Sequence, residues 1–325
     1  MHIMYDRTSL LVCVNDKETS RNAGFANEYF RNAKVQDFLA GLIPSSPDSL
    51  HSEKNPQLFK AYQKIRESLS NADLSMYADE VARIRMSGTQ LIPYDADRYP
   101  GQLRDLSDPP LLLYHKGNLV DFSNCVAIIG TRTPSEYGKQ LAHQLSSSFV
   151  KMGYTIVSGL ASGIDTEAHR GALDAGGKTI AILAGHIDDI YPRANYSLAR
   201  EIMQSGAIIS EVSAFVKTHK GRFISRNRLT SGISQCVIAV ESHGGGGTLR
   251  QVTTAQSQGK PVFVCRPHDD NAEAAKGFAE LCNRGAIPID YADDVIYCLK
   301  QMPSFPASAR GGGKKQSTLV SLDQF

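Results

Sequence analysis

From Val126 to Cys265 the chain alternates short apolar runs with longer stretches of helical period. The runs are VAIIG (126–130), TIVSG (155–159), TIAIL (179–183), AIISE (207–211), VIAVE (237–241) and PVFVC (261–265). Strands that carry apolar side chains on both faces are buried on both faces, the habit of a parallel sheet covered by helices. Between the first two, SEYGKQLAHQLSSSFVKMG puts Leu141, Leu145 and Phe149 on one helical face and stops at Gly153. Alternation this regular predicts an α/β fold with a doubly wound, mostly parallel sheet. No internal repeat at solenoid periods competes with that reading.

Upstream the pattern differs. Residues from about Glu18 to Met86 are polar and serine-rich, and QLFKAYQKIRESL (57–69) spaces Leu58, Tyr62, Ile65 and Leu69 as one face of a helix. A small helical N-terminal domain over 1–86 is expected. A connector rich in proline and aspartate follows, and its Asp108-Pro109-Pro110 excludes helix and leads into a short extended run. The α/β core is expected over 87–301. Residues 302–325, with Gly-Gly-Gly-Lys-Lys and little that could pack, are expected to be a flexible tail.

Composition narrows the possibilities. At 325 residues and 42% hydrophobic, the chain can bury a proper core over about two domains. A formal charge of +2 is too mild to attract nucleic acid through the net field, so such a partner has to be met by a local patch. None of the six cysteines forms a Cys-x-x-Cys pair, so neither a metal nor a disulfide is expected. The early apolar run SLLVCV is too short for a signal-peptide core or a spanning helix, which gives a soluble, cytoplasmic expectation.

In a parallel sheet the ligand site lies beyond the carboxyl ends of the strands, so the turns after each run carry the chemistry. In GTRTPSEYG, Gly130 ends a strand, Thr131 and Arg132 occupy the turn, and Ser135 caps the next helix. Backbone N–H groups and the helix dipole would meet an anion there, with Arg132 adding a bidentate charge; a plain connection with Arg132 in solvent fits equally. In SGLASGIDTEAHRGAL, Ser158, Gly159 and Gly163 permit close backbone approach. Asp165 and His169 share a helical face there, and an N-cap with a satisfied histidine is favoured over an acid–base pair. In ESHGGGGTLRQ, four glycines precede a helix, an entropic cost that an anion nest justifies better than a connecting turn does.

Charge is concentrated in one place. No acidic residue lies between Glu211 and Glu241, whereas VKTHKGRFISRNR holds Lys217, Lys220, Arg222, Arg226 and Arg228 around Phe223. A cationic groove with an aromatic platform holds single-stranded nucleic acid through phosphates and base stacking. A solvated basic loop with Phe223 in the core is the plainer alternative.

Taken in order, VAIIGTRTPSEYG, IVSGLASGIDTEAHRGAL, YPRANYSLAREI, IISE, FISRNRLTSGIS, VIAVE and GKPVFVC resemble the DNA-processing protein A family, DprA or Smf, over roughly Gln90 to Cys265. The resemblance implies a Rossmann-like core that binds and protects single-stranded DNA. It also implies a homodimer, and assistance in loading a RecA-type recombinase during transformation or recombination. Carried onto this chain, it implies DNA contacts from Gly130, Thr131 and Arg132, from Ser158, Gly159 and Gly163, and from Lys220, Phe223, Arg226, Asn227 and Arg228. Gly246, Gly247 and Thr248 of the third turn complete the expected set. No catalytic residue and no cofactor is expected. Many members continue into a winged-helix domain, for which the tail here is too short.

The third turn, HGGGGTLRQ, also approaches the PGGxGTxxE pattern of LOG-type phosphoribohydrolases. Gln251 stands where that chemistry needs an ionised carboxylate, and an amide cannot serve. Binding without chemistry is therefore expected. The alternatives are a nucleotide sensor or nucleotide hydrolase on the same turns, possibly in defence, and a protein-binding scaffold.

Overall fold

The computed structural model describes residues 9, 11–13, 15, 16, 74–94, 96–118, 120–268 and 271–302. The helix expected over 57–69, most of the N-terminal segment and the tail after Met302 lie outside these residues.

Nine strands form one sheet: β1 (Gln90–Pro93), β2 (Leu112–Gly117), β3 (Cys125–Ile129), β4 (Thr155–Ser158), β5 (Thr179–Ile182), β6 (Ala207–Ser210), β7 (Val237–Ala239), β8 (Val262–Cys265) and β9 (Ile287–Ile289). They stand in the order β1-β2-β6-β5-β4-β3-β7-β8-β9. The strands β3 to β9 pair in parallel, and β1 and β2 add an antiparallel edge beyond β6. The chain winds outward from β3 to β6, then returns to place β7 on the other side of β3. The strand order therefore reverses between β3 and β7, where an open α/β sheet opens a crevice at its carboxyl edge.

The six apolar runs read from sequence are β3 to β8. Their all-apolar character follows from the two faces. In β3, Val126 and Ile128 point to one side and Ala127 and Ile129 to the other, and both sides are packed. One face is covered by α1 (Leu74–Met86), α3 (Glu136–Lys151), α4 (Ile164–Asp174), α5 (Tyr196–Ser205) and α9 (Ala292–Gln301). The other is covered by α2 (Gly101–Arg104), α6 (Lys220–Ile233), α7 (Gly246–Ser257) and α8 (Ala272–Asn283). Helix α3 begins as expected on Ser135, whose hydroxyl accepts from the Gly138 N–H at 3.0 Å, and the chain leaves it through Gly153 at φ +86°.

The division expected at Met86 runs through a continuous core. Leu11, Val12 and Cys13, together with Tyr77, Val81 and Ile84 of α1, pack in the same cluster as Leu112, Tyr114 and Ile208 of the sheet. These parts of the N-terminal segment thus belong to the α/β packing. Each such buried apolar side chain contributes about 1.5–3 kcal/mol.

Helix α6 has no helical signature in the sequence. Its buried face carries Arg222, Arg226 and Asn227 as well as Leu229 and Ile233, so no apolar stripe marks it. The His219 ring opens it, accepting from the Gly221 N–H at 3.2 Å.

At the opposite end of the sheet α8 packs on the loop after β7 through Gly277, where an added Cβ would overlap the Ser242 carbonyl oxygen. The obstacle is backbone and cannot rotate away. Gly277→Ala is expected to lower folding stability by about 1–3 kcal/mol, read as a lower midpoint in urea denaturation followed by circular dichroism.

Candidate nucleic-acid interface

All three glycine turns converge on the crevice. The first and third are joined directly: the Thr131 N–H donates to the Glu241 carbonyl at 2.8 Å, and Thr131 Oγ1 lies 3.4 Å from His243 Nδ1. The first and second interlock at Gly163, whose φ of +82° needs glycine and whose Cβ would crowd the Thr131 carbonyl oxygen at 2.5 Å. Ser158 is buried and donates to the Ile128 carbonyl at 2.6 Å, fixing β4 to β3 at their carboxyl ends.

Each turn already holds a carboxyl group, and it is the protein's own. At the first, Glu241 is 5% exposed; its carboxylate accepts from the Ser135 N–H at 3.0 Å and from the Ser135 hydroxyl, at the N-terminus of α3. His243 Nε2 meets the same carboxylate at 2.9 Å. At the second, Asp165 Oδ2 accepts from the Gly159 and Ala161 N–H groups at 3.1 and 3.3 Å. At the third, three successive glycines, Gly244, Gly245 and Gly246, adopt positive φ, and the Gly245 N–H donates to Glu280 Oε2 at 2.9 Å. Backbone amides that the sequence offered to a phosphate thus serve internal carboxylates. Gly246 and Gly247 remain exposed with open space around them, while Thr248 is buried.

The arginines divide in the same way. Arg226 is 6% exposed, donates from Nη1 to the Ile182 carbonyl, and faces Asp165 across Gly159, where a Cβ would overlap the guanidinium. Burial lowers its pKa, opposed by the Asp165 charge. Burial likewise raises that of Asp165, against Arg226 and the two turn amides. Arg228 points the other way, pairing with Glu211 and, at 2.8 Å, with Asp108; burial acts against its charge, but the two carboxylates outweigh burial and raise its pKa. Arg222 and Asn227 are also buried. Arg226 and Arg228, expected to meet phosphates, make internal contacts in this structure, because α6 turns these side chains into the protein.

What remains on the surface is compact. Arg132 is exposed and lies over the Phe223 ring, 5.5 Å from its centroid. Phe223 is half-buried on α6, and Tyr191, in the loop after β5, meets it edge to face at 5.8 Å. Lys220 is exposed one turn earlier on α6, beside exposed Lys217 and His219. Thus the structure brings Arg132, Phe223 and Lys220 to one surface. Sequence alone does not single out Tyr191, although it opens the YPRANYSL run; lone tyrosines in loops carry no periodic signal.

His169 is fully buried and its Nδ1 bonds the Thr179 hydroxyl rather than Asp165. The Thr179 hydroxyl donates to the Ile156 carbonyl at 2.9 Å, so His169 Nδ1 is the donor in its 2.7 Å bond to that hydroxyl, and Nε2 carries an unpartnered lone pair. Among the described residues no group of three or more His, Cys, Asp or Glu is placed to hold a metal ion. No helix among them is long and apolar enough to cross a membrane. The Cys125 and Cys236 thiols are pushed up to about 12 by burial, as inert core cysteines are.

Residues 90–300 match the family model described as DNA recombination-mediator protein A, well over half of the chain. The chain belongs to that family. It is similar to DNA processing protein DprA of Bacillus subtilis, 37% identical over 218 residues covering 66% of this chain and 73% of that protein. Protein Smf of Synechocystis sp. is 35% identical over 66% of this chain, but the match spans 54% of that relative's length. An X-ray structure of DprA from Streptococcus pneumoniae superposes with a TM-score of 0.68 at 27% identity, covering 87% of this chain and 97% of that one. A Helicobacter pylori structure, described by its single-stranded DNA binding mode, superposes at 0.58 with 33% identity, covering 65% and 95%. The family and the α/β class expected from the residues are borne out.

Burial pushes the His169 pKa down to about 3, with Arg226 adding to the effect. The unfolded chain binds a proton there below about 6.5 and the folded chain does not, so stability rises with pH in this window. The His169 contribution is complete above pH about 6.5 and is lost as pH falls toward 3, by up to about 1.4 kcal/mol per unit. Urea unfolding measured across that range should show the slope, and His169→Gln should flatten it.

Proposed function

We propose that this protein binds single-stranded DNA at the carboxyl edge of its sheet and acts as a recombination mediator without catalysing a reaction. The observation that carries the reading is the Arg132, Phe223 and Tyr191 stack beside exposed Lys220. An aromatic face offers a base a stacking surface whatever its sequence, and cations on either side meet the phosphates. The Helicobacter pylori relative, described as a single-stranded DNA binder, supports the same assignment. Phosphate recognition in this reading falls to side chains, because Glu241, Asp165 and Glu280 occupy turn amides. The same occupation speaks against a free nucleotide, whose phosphates would have to displace those carboxylates. Gln251 lies buried on α7 with an amide and no ionisable group, which supports binding without hydrolysis. A RecA-type recombinase as the protein partner and a homodimer as the working form complete the proposal; both rest on the family.

Labelled oligonucleotide competed with a panel of free nucleotides tests the ligand class, and preference for a mononucleotide would sink the reading. Arg132→Ala and Lys220→Ala should each weaken binding to all single-stranded sequences and reduce the salt slope of log K by about 0.7. Phe223→Ala should cost about 1–3 kcal/mol with the slope unchanged, since stacking releases no counterion. A folded Arg132 and Lys220 double variant that binds as tightly and as salt-sensitively as the parent would place the site elsewhere.

Gln251→Ala should leave DNA affinity nearly unchanged, and the parent should release no base from nucleoside monophosphates. Gln251-dependent release, detected by chromatography, would make the protein an enzyme. Sedimentation at micromolar concentration reads the dimer.

A further inference from the structure

The aromatic surface does not stop at Phe223. Tyr191 touches Phe223 edge to face and is itself 58% exposed. Two residues on, Arg193 is exposed in a short 3-10 turn (Arg193–Asn195), and Tyr196, also 58% exposed, opens α5. Arg200 follows at i+4 on the same outward side, while Leu198, Ala199 and Ile202 turn inward. Neither arginine is ion-paired among the described residues.

The segment is held firmly in this position. Asn195 Nδ2 donates to the Leu160 carbonyl and to Thr166 Oγ1, both at 2.9 Å, and so ties the turn to the second glycine loop. Ile187 is buried in the core, and Asp188, an acid of the same loop, is drawn aside by Lys116 at 2.9 Å and Arg83 at 3.2 Å. Two tyrosines more than half exposed, alternating with unpaired arginines and continuous with a proposed base-stacking site, form a surface that a stacked, charged polymer would cover.

We infer that Tyr196 and Arg200 extend the single-stranded DNA track beyond Tyr191 and Arg193, leading from the β5 carboxyl end onto α5. This rests on the single-stranded DNA reading above. The strand passes from Arg132 and Phe223 over Tyr191 and then meets Tyr196, with the arginines on its phosphates. An acidic protein segment would satisfy the arginines but has no need of two free ring faces, which favours bases.

Fluorescence anisotropy with oligothymidines of about 4 and about 12 nucleotides, on the full chain, separates the two stretches. The parent should bind the short oligomer and gain affinity with the long one. The Tyr196→Ala and Arg200→Ala double variant should bind the short oligomer as the parent does. It should bind the long one about 5-fold to 100-fold more weakly, with a salt slope lower by about 0.7. Tyr196→Phe, which keeps the ring, should retain the tyrosine's share of the gain, and Arg200→Glu, an exposed change that leaves the core alone, should weaken only long-oligomer binding. Unchanged long-oligomer affinity in the double variant, or equal losses at both lengths, overturns the inference and leaves the first site standing. Failure of the parent to bind either length removes the reading on which it rests.

Discussion

The burial of Asp165 and Arg226 against Gly159 is the constraint on which the crevice depends. Both groups are buried, so each must find its polar partners inside the protein. The pair also decides geometry. Asp165 gathers the Gly159 and Ala161 amides and so shapes the turn after β4, while Arg226 reaches over Gly159 to the end of β5. Because Arg226 sits on α6, holding it holds the helix, and with it Phe223 and Lys220 one and two turns away. Gly159 is required where the two meet, since any side chain there would occupy the space of the guanidinium.

A second set of contacts fixes α6 from the other side. Arg228 pairs with Glu211 and Asp108, and the Glu211 backbone carbonyl accepts from Asn15 Nδ2 at 2.8 Å. Two residues on, the Ser213 hydroxyl and the Tyr77 hydroxyl both donate to the Asp16 carboxylate, at 2.9 and 2.8 Å. The N-terminal helical residues therefore brace the loop that leads into α6. This explains why Leu11 to Cys13 and α1 pack with the sheet and not apart from it. The helix that carries the proposed DNA contacts is thus pinned along its inner side by Arg226, bonded to the Ile182 carbonyl, and by Arg228, paired with Glu211 and Asp108.

The internal carboxylates set this crevice apart from that of a dinucleotide-binding fold. In such proteins the pyrophosphate sits on a helix N-terminus at the switch point. Here Glu241 occupies that position at α3, bonded to Ser135 and flanked by His243. A fixed anion at the floor of the crevice satisfies the helix dipole and repels a phosphate from the same spot. In the proposed DNA-binding reading, attraction for a strand falls to Arg132 and Lys220, which stay exposed.

Much of the architecture is legible in the amino-acid sequence. Six strands, the α3 cap at Ser135, the stop at Gly153 and the helix after the four glycines all follow from short-range rules, because apolar period, capping and glycine φ act within a few residues of the chain. Arg132, Lys220 and Phe223 are legible as candidates from residue type and local charge. Which arginines face water is not. Arg226 and Arg228 sit two residues apart in one basic run, yet α6 points both inward, Arg226 to the Ile182 carbonyl and Arg228 to a carboxylate 17 positions away in sequence. The fate of the glycine-turn amides is equally hidden: the sequence shows donors, but only the folded chain brings Glu241 back to Ser135 and Glu280 to Gly245. A charge in sequence has no partner until tertiary structure supplies one. Composition and spacing determined the sheet, the turns and the supply of cations, and the long-range pairing of buried charges decided which of them remain for a ligand.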